Sequence, residues 1–112
     1  MSTKKPAFRL VPNPTFKFEA EIPMAGETPQ VLKLIGKHKG KKAMQELQAK
    51  MTDSEVPPTD VEVLMEILGG WEEVDGEFNA ENLEQLVDAY PKAASTIYAA
   101  YAIALVDGKE KN

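Results

Sequence analysis

The chain has 112 residues, 43% hydrophobic and 28% charged, which suits one globular domain with a modest core. No apolar run approaches the roughly 18 residues of a membrane-spanning helix, and "MSTKKPAFRL" lacks the apolar stretch of a secretory signal. With no cysteine there is no disulfide, thiolate metal site or cysteine nucleophile, and a reducing cytosol is the expected compartment.

The net charge of −5 conceals an asymmetry: residues 1–50 carry ten Lys/Arg against four Asp/Glu, and residues 51–112 carry three against fourteen. Either the two halves pack together and partly neutralise each other, or the imbalance serves head-to-tail contact between copies or a charged partner. Nucleic acid is disfavoured as that partner, because the acidic half repels phosphate.

In chain order, "AFRLV" (7–11) reads as a candidate short edge strand cut off by Pro12 and Pro14. "TFKFEAEI" (15–22) alternates strictly, with Phe16, Phe18, Ala20 and Ile22 on one face and Lys17, Glu19 and Glu21 on the other. That period of two marks a half-buried strand. "PMAGETP" (23–29) reads as a turn, and "QVLKLI" (30–35) as the returning strand of a hairpin. Two strands alone are marginal in water, so the hairpin is expected to lie on helices.

A first helix is expected over 41–51, with Met44, Leu47 and Met51 on one face, followed by a linker at 52–58. Thr59 and Glu62 form a T-x-x-E capping box that starts a second helix. Its stripe is Val61, Leu64, Met65 and Leu68, and Gly69–Gly70 end it. A third helix covers 80–89 through Leu83, Leu86, Val87 and Tyr90; Pro91 restarts the chain into a fourth over 92–106. The expected fold is α+β: an N-terminal β-hairpin, with residues 7–11 as a candidate third strand, packed on a small bundle of about four α-helices. It forms a single domain over 1–112 with flexible ends at about 1–6 and 108–112.

"EEVDGEFNAENLE" (72–84) resembles a calcium loop, with side-chain oxygens at Glu73, Asp75, Glu77, Asn79, Glu81 and Glu84. An EF-hand loop needs glycine at its sixth position, and here that position is Phe78. As a helix start the same residues fit better. Asn79 is the N-cap, Glu81 and Glu84 lie near the positive end of the dipole, and Phe78 and Leu83 occupy the staple positions. No metal is assigned.

Catalytic patterns are missing as well. His38 is the only histidine, which excludes a multi-histidine metal site, and between lysines it reads as a solvated side chain. Glu62 and Glu66 lie at i and i+4 without the Glu-x-x-His of a carboxylate metal site, so they read as a solvated face. Lys37, Lys39, Lys41 and Lys42 could touch phosphate but lack interleaved aromatics for base stacking. No phosphate-binding or nucleophile-elbow motif occurs, and neither enzyme activity nor a cofactor is expected.

The last helix, "KAASTIYAAYAIALV", is apolar nearly all round. Such a helix is buried, or it awaits a partner. Ile97, Tyr101 and Leu105 are the candidate partner-binding residues, with Tyr98 expected in the core.

Taken together, "PNPTFKFEAEIP", the basic "KHKGKK" before a helix, the Gly70–Trp71 pair and "FNAENLEQLVDAYPKAASTIYAAY" (78–101) resemble the tail assembly chaperones of long-tailed bacteriophages and prophages. The resemblance spans about residues 12–112 and its motifs are structural. It implies a non-enzymatic protein that binds the long, helical tape measure protein, keeps it soluble and recruits tail tube subunits around it. It also implies a place in the cytoplasm of the bacterial host and absence from the mature virion. The alternative from another class is a small phage regulatory or nucleic-acid-contacting protein acting through Lys37, Lys39, Lys41 and Lys42.

Overall fold

The alternation over residues 15–22 does produce a strand. In a computed structural model, which describes residues 7–108, β1 (Thr15–Met24) and β2 (Glu27–Lys37) pair antiparallel as a hairpin. The partners Phe16↔Gly36, Phe18↔Leu34 and Ala20↔Leu32 place one apolar face of both strands against the helices. The turn is only Ala25 and Gly26, shorter than the seven-residue stretch suggests. Gly26 takes φ +71, a left-handed conformation that glycine adopts without steric cost. A register shift between Ile22 and Met24 accommodates Pro23, which has no N–H to give the ladder.

Four helices follow the hairpin: α1 (Lys41–Asp53), α2 (Asp60–Ile67), α3 (Ala80–Ala89) and α4 (Ala93–Asp107). The α+β architecture agrees with expectation, but the third strand comes from elsewhere. Residues 7–11 form no strand; Phe8, Leu10 and Val11 stand in solvent. The third strand is β3 (Leu68–Glu72), giving the sheet order β1-β2-β3. Gly69–Gly70 do stop the preceding helix, yet the chain passes from Ile67 into Leu68 with no intervening loop. The Leu68 N–H still closes the last helical turn on the Leu64 carbonyl while its own backbone is already extended. A register shift opposite Ile35 and Gly36 leaves Gly69 as the extra residue of a bulge.

β3 pairs with β2 only over Lys33 to Gly36, so the tip of the hairpin projects beyond the third strand. The capping box at Thr59 forms as expected: its Oγ1 accepts from the Glu62 N–H at 3.2 Å and its own N–H donates to Glu62 Oε1 at 2.8 Å. The buried stripe of α2 is Val61, Val63, Leu64 and Ile67, while Met65 is exposed. This wider stripe arises because α2 meets α3 and α4 as well as β2 and β3. The core is one cluster running from Phe18, Ala20, Ile22 and Leu34 of the sheet through Leu64, Ile67 and Leu83 to Ala93, Ile97 and Tyr101. Of the ends expected to be flexible, residues 1–6 and 109–112 lie outside the described residues. Gly108 is described, and at φ +68 it caps α4 by donating its N–H to the Ala104 carbonyl.

Candidate partner-binding surface

α4 is laid along β1 and touches α2 and α3. Its inner stripe is Ala93, Ile97 and Tyr101, each fully buried. Tyr101 stacks on Phe16 at 5.6 Å and meets Phe18 edge-on at 5.9 Å. Its hydroxyl donates a 2.6 Å hydrogen bond to the Lys37 carbonyl oxygen, which ties the last helix to the end of the hairpin. Burial, reinforced by the nearby Tyr98 and Glu66, pushes the Tyr101 phenol up to about 12. Gly36 makes room for this aromatic pile: a Cβ there would sit 2.8 Å from Phe16 Cζ and 3.1 Å from Phe18 Cε1.

Two of the three residues expected to face a partner, Ile97 and Tyr101, are therefore core residues, and Leu105 is half-buried. Tyr98, expected in the core, lies at its margin with a buried hydroxyl that has no hydrogen-bond partner among the described residues. A buried hydroxyl without a partner costs its desolvation. Tyr98→Phe is accordingly expected to leave stability unchanged or raise it by up to about 1 kcal/mol in urea denaturation. A loss of 1 kcal/mol or more would show that the hydroxyl is hydrogen-bonded in solution.

The outer side of α4 is apolar too. Ala99, Ile103 and Val106 lie on one face through the helical period, and Ile103 and Val106 are 51% and 76% exposed. This strip was missed because a helix apolar all round carries no phase from which to tell its inner side from its outer one.

A second surface feature lies under the projecting hairpin tip. There, Ile22, Met24, Leu32, Trp71, Leu86 and Tyr90 line a groove of about 730 Å³, with Glu73, Asp75 and Asp88 also along it. Trp71 faces into it beside Phe78, ring centroids 5.4 Å apart and edge-to-face, and its Nε1–H donates to the Gly76 carbonyl at 2.8 Å. That bond folds the acidic stretch after β3 back onto the sheet. Asn79 then caps α3, its Oδ1 accepting from the Asn82 N–H at 2.8 Å, and Asn82 Nδ2 donates to the Glu77 carbonyl at 2.7 Å. Among the described residues, no three acidic or histidine side chains converge as a metal site.

The charge asymmetry is partly spent inside the fold. The ion pairs Lys17–Glu72, Lys33–Glu73 and Lys39–Glu66, at 3.2, 2.8 and 2.9 Å, each join the basic half to the acidic half. Lys39 holds the Glu66 carboxyl below its ordinary range through that hydrogen bond and its charge. Lys37 Nζ donates to the Met65 carbonyl at 3.1 Å. Lys37 and Lys39 are thus engaged with α2, leaving Lys41 and Lys42 as the exposed remainder of the basic cluster.

These surfaces offer an apolar helix face and a groove with acidic flanks. No curated protein and no solved structure matches the chain. A family model described as phage tail assembly chaperone matches residues 1–112, the whole length. The chain therefore belongs to the phage tail assembly chaperone family, whose role lies in building the tail and implies no enzymatic activity.

Proposed function

We propose that this chaperone binds the tape measure protein, shields its helical length and helps to gather tail tube subunits around it. In this reading it works in the cytoplasm of the bacterial host and leaves before the virion matures. The observation that carries the proposal is the outer face of α4, where Ile103 and Val106 remain in solvent although the inner face of the same helix is already packed. A long helical client with apolar stripes is most simply covered by helix-on-helix contact. Of the residues first expected to make that contact, Leu105 stays beside the exposed strip, whereas Ile97 and Tyr101 support it from beneath.

Ile103→Asp together with Val106→Asp places charge in the strip without touching the core. The double variant is expected to keep the circular dichroism and melting temperature of the parent chain and to lose the ability to hold a co-expressed tape measure protein in solution. A folded double variant that still solubilises the tape measure protein would move the contact off α4.

A further inference from the structure

β3 leaves β2 early. The two strands pair from Lys33 to Gly36, whereas β2 runs back to Glu27 with β1 as its only strand neighbour among the described residues. The cause is local. Glu73, directly after β3, takes φ +58, a left-handed conformation that few residues other than glycine adopt and that turns the chain off the line of the strand. The Lys33–Glu73 ion pair at 2.8 Å and the Trp71 Nε1–H bond to the Gly76 carbonyl hold that turn. Beyond it the β3 side of β2 is an open sheet edge. Pro29 has no N–H to offer, so the useful part of the edge is Gln30, Val31 and Leu32.

Those three residues line the groove under the hairpin tip in succession, so the open edge and the groove are one site. Leu32, Trp71 and Leu86 give it an apolar floor. Its charge is of one sign. Glu73 is engaged by Lys33, but Asp75 and Asp88 are exposed and form no ion pair among the described residues, and no Lys or Arg lines the groove. An edge, an apolar floor and two unmatched carboxylates therefore lie together.

We propose that this groove docks an extended, basic segment of a client protein, which adds to β2 as a strand. Alternate apolar side chains of the segment lie on Leu32, Trp71 and Leu86, and its Lys or Arg side chains sit beside Asp75 and Asp88. The occupant is extended because the edge offers backbone donors and acceptors, and a helix has already used its own within itself. It is basic because the two carboxylates have no counter-charge within the groove. No residue of α4 lines the groove, so this site is separate from the outer face of α4 and takes a client in a different conformation.

Trp71 is the only tryptophan and lines the groove, so its fluorescence reports on filling. The probe is a short, tryptophan-free synthetic peptide in which Leu alternates with Lys. Titrated into the purified chain at about 0.05 M salt, it is expected to shift the Trp71 emission to the blue and to saturate. Three control peptides of equal length are expected to leave the emission unchanged. One has Glu for every Lys, and one has the same residues reordered to a helical period. The third is N-methylated at two consecutive central residues, which removes a donor from each strand edge. Asp75→Asn/Asp88→Asn alters exposed positions and is expected to keep the parent's circular dichroism and weaken binding about tenfold, the worth of two exposed ion pairs. Ile103→Asp/Val106→Asp is expected to bind the peptide as the parent does, which separates this outcome from the tape measure reading. An emission that the Lys peptide does not move would overturn the proposal. So would binding of equal strength by any control peptide or by the Asp75→Asn/Asp88→Asn variant, or loss of binding in the α4 variant.

Discussion

Tyr101→Ala is expected to lower the unfolding free energy by about 4 kcal/mol, within the range for truncating a buried aromatic side chain. The ring has no exposed surface and lies against both Phe16 and Phe18, so its loss opens a cavity between α4 and β1 that neither neighbour can fill without leaving its own packing. Tyr101→Phe isolates the hydroxyl and is expected to cost about 1 kcal/mol, the net worth of one hydrogen bond. The same pair reports on pH. Folding raises the phenol from an ordinary 10.0 to about 12, so the unfolded chain gives up this proton first. Its contribution is complete below about pH 10 and declines as pH rises towards 12, with about 1.4 kcal/mol gone by pH 11. In urea titrations the advantage of the parent chain over Tyr101→Phe should therefore be present at about pH 8 and vanish near pH 11. A difference that stays constant over that range would mean the phenol is not buried in solution.

The next largest loss is expected at Trp71. Its ring is half-buried rather than sealed in the core, so Trp71→Ala should cost about 3 kcal/mol, the lower end for a large aromatic. Three contributions disappear together: the edge-to-face contact with Phe78, the Nε1–H bond to Gly76, and the packing opposite Leu34 on β2. Trp71→Phe keeps most of the packing and loses the indole N–H, and should cost about 1 kcal/mol. Because Trp71 is the only tryptophan, unfolding has to be followed by far-ultraviolet circular dichroism. If Trp71→Ala were as stable as the parent chain, the stretch from Glu73 to Phe78 would be held by something other than this side chain.

The parts of the fold that could be read from the sequence are those with a local cause. β1 announces itself through strict alternation, α2 through the Thr59–Glu62 capping box, and α3 through Asn79. β3 was illegible because two of its five residues are glycine, leaving too few side chains to show a period of two. Residues 7–11 have a strand's composition, but among the described residues they join none of the three strands. The candidate partner surface was only half legible. An apolar helix at the end of the chain could be recognised, but its rotation about its own axis depends on Phe16, Phe18 and Lys37, far away in sequence. That is why Tyr101 is sealed in the core while Tyr98 lies at its margin.

The latch between Tyr101 and Lys37 joins positions 64 residues apart. A hairpin such as β1–β2 assembles in about 1–10 μs once its residues are available. Its aromatic face, however, finds its cover only in α4. During synthesis on a ribosome the first third of the chain can pair as a hairpin early, yet it must wait bare-faced until the last helix emerges. Loop-closure entropy makes that final docking the slow, non-local step. For its whole time as a nascent chain, this chaperone presents the kind of uncovered apolar surface that clients present to chaperones.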